Sequence, residues 1–313
     1  MSKLPNQQFQ QLVPKMREKG FYKHQEQRKI SWPEYTLSQI EEAKETLAFI
    51  RDSVDRACYL DTKGKVGRPL TDPKDLAKAV LLSEAFDFTE RSGQGWVEIL
   101  GPFAGTHCAL DDRTIGDAYD RIEVLYILYQ VFQQTKESDG KLSGDGTGLE
   151  TSRKQNYENS KITGEYMTSI VDSREIVQAF DVSGDGECTA MHSLIQEVSG
   201  KSLCLDAGFN CRELIREIVN LGMRPFVFPK KNNILNGSPA WKSMYLNLLK
   251  DVVAWLIEYH QRSHSESFHS SFKRRNIIIT KRRPFSRLVQ ITARIIIHNR
   301  RRLGYFSRLS GAG

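Results

Sequence analysis

Apolar side chains recur at three- and four-residue intervals through the first part of the chain, a spacing typical of helices that bury one face. The helices that this spacing predicts are 37–60, a segment that starts near Thr71, 92–100, and a segment that starts at Asp112. Residues 1–35 are polar and rich in glutamine and show no clear period. We therefore expect a polar arm or a short helix at 1–35, followed by an all-helical domain at 36–136.

The pattern changes near residue 140, where short apolar runs alternate with turn residues. The predicted strands are 142–147, 166–172, 176–182, 203–206 and 224–228. The helices predicted between and after them are about 188–198, 210–222 and 238–275. The second of these opens with Asn210 and Glu213 in a capping-box pattern and closes at Gly222. This order predicts an α/β domain at 140–313, with a mixed sheet flanked by helices.

The last predicted helix carries the most specific pattern in the chain. Tyr259, Arg262, Glu266 and Lys273 read Y-x2-R-x3-E-x6-K. Steps of three, seven and fourteen residues return to nearly the same azimuth on a helix, so the four side chains should share one face. A carboxylate between two cations suits a metal ligand that works beside a phosphate backbone. The alternative is an ordinary solvated face with an Arg262–Glu266 ion pair.

Two aspartates upstream lie at predicted strand ends. Asp145 is flanked by glycines, and Asp206 follows a short apolar run. A surface turn is the alternative for Asp145, and Asp181 or Asp185 could replace it as a ligand. Ligands gather at the carboxyl ends of strands, and three acids packed together without metal would repel one another. We therefore expect Asp145, Asp206 and Glu266 to bind two Mg²⁺ or Mn²⁺ ions that serve phosphoryl transfer.

These motifs resemble a DDE-type insertion-sequence transposase of the subgroup with the Y-x2-R-x3-E-x6-K signature. The resemblance covers roughly residues 140–300, and Gly67–Leu70 and Asp112–Ile115 are similar to the helical amino-terminal region of the same family. It implies a ribonuclease H-like catalytic domain at 140–313 and a helical domain that binds transposon ends.

The resemblance also assigns roles to individual residues. Asp145, Asp206 and Glu266 would be the catalytic, metal-binding triad. Tyr259, Arg262 and Lys273 would contact the transposon end. The implied partners are double-stranded DNA, as terminal inverted repeats and as target, and a second copy of the chain in a synaptic complex. The alternatives are a ribonuclease H-like DNA nuclease without strand transfer, and a DNA-binding protein without catalysis.

Positive charge is concentrated downstream of Glu266. The net charge is +7, yet residues 267–313 hold twelve of the 45 Lys and Arg and none of the 38 Asp and Glu, which leaves 33 basic and 38 acidic side chains upstream. A basic surface beside the acids is what a DNA-cleaving site needs, because counterion release supplies most non-specific affinity. The residues expected to contact DNA there are Lys273, Arg274, Arg275, Lys281, Arg282 and Arg283.

Composition narrows the cellular setting. No apolar run reaches the length of a membrane span, and the first residues lack the apolar core of a secretory signal. The five cysteines show no C-x2-C pairing, so we expect reduced thiols and no zinc site. The prediction is a cytoplasmic, nucleoid-associated protein.

Overall fold

A computed structural model describes residues 4–18, 30–61, 71–151, 165–182, 184, 186–276 and 278–311. The predicted motif Gly67–Leu70 and the alternative ligand Asp185 lie outside these residues. The chain divides into two compact units. The first comprises 1–29, 137–148 and 165–274, and the second comprises 30–136, 149–164 and 275–313.

Among the described residues, seven helices precede the first strand, and strands and helices are mixed from residue 141 onward. The helices are α1 (Leu4–Met16), α2 (Trp32–Ile40), α3 (Glu42–Arg56), α4 (Pro73–Phe86), α5 (Glu90–Leu100), α6 (Asp112–Ala118), α7 (Ile122–Gln134), α8 (Glu187–Leu194), α9 (Arg212–Asn220), α10 (Pro239–Lys250), α11 (Val252–Tyr259), α12 (Ser263–Arg275) and α13 (Pro284–Gly311). The strands are β1 (Lys141–Thr151), β2 (Glu165–Asp172), β3 (Val177–Asp181), β4 (Ser202–Leu205), β5 (Arg224–Val227) and β6 (Ile278–Ile279).

The first unit is built on a mixed sheet flanked by helices, which confirms the predicted α/β class at this coarse level. Among the described strands, the order across the sheet is β3-β2-β1-β4-β5. β2 and β3 pair antiparallel, whereas β4 pairs in parallel with both β1 and β5. β4 pairs on both sides and is buried along its whole length, as expected for a strand inside a parallel sheet.

The described residues 4–18 contain a short helix, the alternative to the polar arm. Phe9, Val13 and Met16 of α1 are buried in the core cluster of the first unit, and the Phe9 ring packs edge-on against Tyr245 with centroids 5.0 Å apart. These three apolar residues are spaced four and three apart and therefore share one helix face. In the sequence this helical spacing is hard to recognise, because only a few apolar residues stand among many glutamines.

The second unit is helical, with α4 at its centre. Every residue from Leu76 to Leu82 is buried, including Lys78, which donates to the carbonyl of Gly105 and forms an ion pair with Asp55 at 2.7 Å. β1 continues into this unit, where Glu150 and Thr151 pair in parallel with β6.

The carboxyl-terminal segment belongs to this helical unit and not to the α/β unit in which the sequence prediction placed it. Helix α13 packs against α4 and α7, and Ile295, Ile296 and Ile297 are buried. Arg294 on the same helix forms a buried ion pair with Glu84 at 2.6 Å. The predicted boundary near 140 is therefore correct for the start of the sheet, but the chain returns to the helical unit after residue 274.

Three predicted helices differ from the structure in their bounds or in their continuity. The helix at 37–60 is divided at Glu41 into α2 and α3. The helix predicted to continue to Arg275 is interrupted at Asp251, whose carboxylate accepts from the Ala254 N–H at 3.0 Å, and again by a 3₁₀ turn at His260–Arg262. Asn210 does not cap α9, because its side chain donates to the carbonyl of Phe228 at 3.0 Å.

No helix within the described ranges combines the length and the apolar character that a membrane span requires.

Candidate functional site

Strand register brings the two aspartates to neighbouring positions in the sheet. β1 and β4 pair in parallel, and their last pair is Gly144 with Leu205. Asp145 follows Gly144 and Asp206 follows Leu205. The two aspartates are therefore neighbours just beyond the last hydrogen-bonded pair. The prediction that Asp145 ends a strand at a turn is wrong, because β1 continues to Thr151. Only the pairing with β4 stops at this point, and this exposes the two carboxylates at the same edge.

The Asp206 carboxylate is held in place by its own turn. It accepts a hydrogen bond from the backbone N–H of Gly208, within a 3₁₀ turn that links β4 to α9. The Asp145 carboxylate in turn accepts from the backbone N–H of Gly146 at 2.9 Å. Each acid is therefore oriented by a local backbone donor.

Glu266 reaches the same region through the end of α11. The thiol of Cys204 on β4 donates to the carbonyl of Glu258 at 3.3 Å, which ties the last turn of α11 to the strand that precedes Asp206. The 3₁₀ turn at His260–Arg262 follows, and Glu266 lies in the first turn of α12. The helix break that the sequence did not predict thus lies between Tyr259 and Glu266, two members of the signature.

The charges of Asp206 and Glu266 act on the Asp145 carboxyl group. The pKa of Asp145 is raised above its ordinary value, chiefly by burial, since 21% of its side chain is exposed. The Gly146 N–H and the Arg262 guanidinium lower this pKa, whereas the negative charges of Asp206 and Glu266 raise it further. Burial is therefore the main cause of the raised pKa, and the two neighbouring acids add to it.

Glu187 is a fourth acid of this site, and the sequence reasoning missed it. Burial raises the pKa of Glu187, and the charges of Asp145 and Asp206 raise it further. A Cβ placed on Gly146 would lie 2.8 Å from the Glu187 Oε1 atom and 2.5 Å from the Tyr166 hydroxyl. Gly146 therefore allows this close approach. The signal in the sequence was an acid at the start of a predicted helix that follows a predicted strand.

His269 lies behind Asp145. Its Nδ1 atom is 4.0 Å from the Asp145 carboxylate, too far for a hydrogen bond, and its Nε2 atom is 3.0 Å from the Ser169 hydroxyl. Burial, and then the charge of Lys273, lower the pKa of His269 to about 4. The imidazole is therefore neutral at pH 7 and does not offset the acids.

The Arg262–Glu266 ion pair, which the sequence offered as the ordinary alternative, is present. The two side chains are 2.5 Å apart, and 53% of the Glu266 side chain is exposed. The pair and the electrostatic coupling to Asp145 occur together, so the ion pair does not exclude a role for Glu266 in the site. An exposed carboxylate with one arginine partner can rotate toward a cation that competes for it.

Tyr259 contributes mainly packing. Its ring lies 5.2 Å from that of Trp255 and 5.4 Å from that of Phe228, and burial raises the pKa of its hydroxyl. Lys273 and Arg274 are exposed at the far end of α12.

Most of the other basic residues expected to contact DNA are ion-paired within the helical unit. Arg275 lies 3.3 Å from Glu42, Lys281 lies 2.5 Å from Glu90, and Arg283 lies 2.8 Å from Asp120. Arg282 is exposed. Further along α13, Arg300, Arg301 and Arg308 pair with Glu45, Glu42 and Glu41. The uneven charge of the sequence therefore reflects, in large part, a basic helix that neutralises acidic helices of its own unit.

A second group of side chains has the chemistry to bind a metal ion. Cys188, His192 and Cys211 place one ligand atom each within 4.8 Å of one another, and within the described ranges this is the one set of three His, Cys, Asp or Glu residues that does so. The three candidate acids are therefore further apart than this group.

No protein-family model matches the sequence, and no curated protein matches it significantly.

Proposed function

We propose that the chain is a DNA transposase that cleaves at transposon ends and joins the resulting 3′-hydroxyl to target DNA, using two Mg²⁺ or Mn²⁺ ions. The observation that carries this proposal is that three acids, 61 and 60 residues apart in sequence, lie close enough for two of them to raise the pKa of the third. Asp145 and Asp206 leave adjacent parallel strands, and Glu266 is close enough for its charge to raise the pKa of Asp145. A purely structural cluster would not need an excess of one charge sign.

The sheet supports the same proposal. Its order, β3-β2-β1-β4-β5, with an antiparallel β2–β3 pair and a parallel β1–β4–β5 half, agrees with the ribonuclease H-like domain that the resemblance implies. In such a domain the carboxyl ends of the central parallel strands and a later helix supply the acids. Here Asp145 lies where the pairing of β1 with β4 stops, Asp206 follows β4, and Glu266 lies on α12.

The donor chemistry fits divalent cations. Mg²⁺ prefers a few carboxylates, water and substrate phosphate, and the acids of this site are not neutralised by Arg262 alone. A distance above 4.8 Å between acids is compatible with two ions, because ions ~4 Å apart, each ~2.1 Å from its ligand, separate acids at opposite ends by ~8 Å. Asp145, Asp206 and Glu266 would hold the ions, with Glu187 beside them.

When bound, such ions activate a water or a 3′-hydroxyl and stabilise the leaving oxygen of an in-line phosphoryl transfer. The protein residues orient the groups around that reaction. The Gly146 and Gly208 N–H groups fix the two aspartates, and neutral His269 excludes solvent behind Asp145. Arg262 is released from Glu266 to contact a phosphate oxygen.

The DNA-contacting surface that we propose contains fewer basic residues than the sequence suggested. Lys273 and Arg274 are exposed on α12 and can contact phosphates directly. Arg275, Lys281 and Arg283 would first have to exchange an acid partner for phosphate. Tyr259 supports the turn that carries Arg262. We propose that two copies of the chain act together on paired transposon ends.

The test uses the DNA that flanks the coding region. Inverted repeats from that DNA should be bound, cut in the presence of Mg²⁺ and joined covalently to a target duplex. Glu266→Gln should bind the ends like the wild type and lose cleavage, while Glu213→Gln, an exposed acid on α9, should retain both activities.

The outcomes separate the alternatives. Cleavage without a joined product would indicate a nuclease. End binding that survives replacement of all three acids, with no cleavage by the wild type, would indicate a non-catalytic DNA-binding protein. Mg²⁺-dependent cleavage by Glu266→Gln would remove Glu266 from the site.

A further inference from the structure

Cys188, His192 and Cys211 form a thiol and imidazole cluster that the proposed reaction does not use. Cys188 and His192 are four residues apart on α8 and therefore share a face. Cys211 is the residue that precedes the first turn of α9. One ligand atom from each of the three lies within 4.8 Å of the others, although they come from two separate segments.

The atoms present are those that zinc selects. Two sulfur donors and one imidazole favour Zn²⁺ over Mg²⁺, which prefers oxygen. In a tetrahedral zinc site with Zn–S of ~2.3 Å, sulfur atoms lie ~3.8 Å apart, so the cluster needs to close by no more than about 1 Å. All three side chains are partly exposed, which leaves a route for the ion and space for a fourth, solvent ligand.

A carboxylate supports the imidazole in the way that zinc sites use. The Glu217 carboxylate on α9 lies 2.8 Å from the Nδ1 atom of His192. Such a partner fixes the tautomer and the ring orientation and leaves the other ring nitrogen to bind metal. Glu217 thus provides a second link between α8 and α9 at the same place.

We propose that Cys188, His192 and Cys211 form a zinc site that joins α8 to the start of α9, with Glu217 as the carboxylate that orients His192. This reverses the expectation from the sequence, where the lack of a C-x2-C pair argued against zinc. The site is distinct from the proposed magnesium site in its ligands. Glu187 is next to Cys188, and Asp206 is five residues before Cys211. Bound zinc would therefore help to fix the positions of both acids.

The test measures metal directly and does not depend on DNA or on catalysis. The full chain is purified under reducing conditions, stripped with a chelator and titrated with Zn²⁺ and with Co²⁺. We expect about one zinc per chain by elemental analysis, and a cobalt form with thiolate-to-cobalt charge-transfer bands and the visible bands of tetrahedral coordination.

Variants decide whether the named residues bind the metal. Cys188→Ser with Cys211→Ser should abolish the thiolate bands, and Glu217→Gln should weaken zinc binding about 10–100-fold while it retains those bands. Cys58→Ser with Cys108→Ser, which replaces two exposed cysteines, is the matched control and should bind like the wild type.

Three results would overturn the proposal: stripped wild-type protein that takes up no zinc or cobalt, cobalt bound without thiolate bands, or equal binding by the Cys188/Cys211 double variant. Retained circular dichroism of that double variant excludes unfolding as the cause of lost binding. Because zinc content is read without DNA, failure of this site and failure of the transposase proposal are distinguishable.

Discussion

Replacing Asp145 by Asn should make the metal-free protein more stable at neutral pH. The amide has the same shape and can still accept from the Gly146 N–H, but it removes one charge from a site in which Asp206 and Glu266 already oppose ionisation. The raised pKa of Asp145 means that its ionised form costs folding free energy. An acid that lowers the stability of the metal-free protein is typical of a functional site, here one that would bind a cation.

The size of the effect follows from the charges around Asp145. A unit charge ~8 Å away contributes ~1–2 kcal/mol at an effective dielectric constant of ~20–40. Arg262 offsets about one of the two acidic neighbours, and burial adds to the penalty. The expected gain on substitution is therefore about 1 kcal/mol, or roughly 2 °C in Tm for a chain of this size.

The sign of the pH dependence is fixed by the same reasoning. The penalty is present in full above the folded-state pKa, shrinks as the pH falls through that value, and disappears below the ordinary pKa of 3.8, where Asp145 is protonated in both states. The difference in Tm between the variant and the wild type should therefore be present at pH 7 and lost near pH 3.8.

Thermal unfolding with and without Mg²⁺ is the assay. Mg²⁺ at about 100 times its Kd should stabilise the wild type by ~2.7 kcal/mol and the Asp145→Asn variant much less, so the order of stability reverses. Glu213→Gln, which neutralises an exposed acid at the start of α9, should not stabilise the protein. A less stable Asp145→Asn variant, or an equal response of both proteins to Mg²⁺, would refute the reasoning.

Three further substitutions test other parts of the structure. Glu187→Gln should weaken Mg²⁺ binding about tenfold in calorimetric titration, because it removes the fourth negative charge of the site. An unchanged Mg²⁺ affinity would exclude Glu187 from the site. Arg294→Ala should lower the free energy of unfolding by about 3–5 kcal/mol in urea, since Glu84 is left buried and unpaired, and Glu84→Gln in addition should restore part of the loss. Gly222→Ala should cost about 1 kcal/mol because its φ is +81°, whereas Gly148→Ala, in open space, should change stability by less than about 0.5 kcal/mol.

Much of the sheet could be predicted because its strands are defined by local signals. β2, β4 and β5 each lie within one or two residues of the predicted ranges, since a short apolar run bounded by turn residues admits few alternatives. The end of α9 was predictable because Gly222 is a local stop signal, and it adopts the left-handed conformation after the helix. The candidate acids were found because two of them follow such strands and the third lies in a motif of fixed spacing.

The features that could not be predicted depend on contacts between distant segments. Nothing local shows that Asn210 donates to Phe228 instead of capping a helix, or that Phe9 completes a core formed mainly by later residues. The unequal charge distribution was misleading, because the acids that neutralise Arg300 and Arg301 lie about 255 residues earlier. Glu187 was missed because its approach to Gly146 depends on how α8 packs against a distant strand.

Anomalous diffraction from crystals soaked in Mn²⁺ tests most directly whether the three acids share divalent cations. We predict two manganese peaks ~4 Å apart, with Asp145 in contact with at least one of them and Glu266 withdrawn from Arg262 to bind metal. A map with no peak among Asp145, Asp206 and Glu266, and with the Arg262–Glu266 pair unchanged at saturating Mn²⁺, would contradict the proposed metal site.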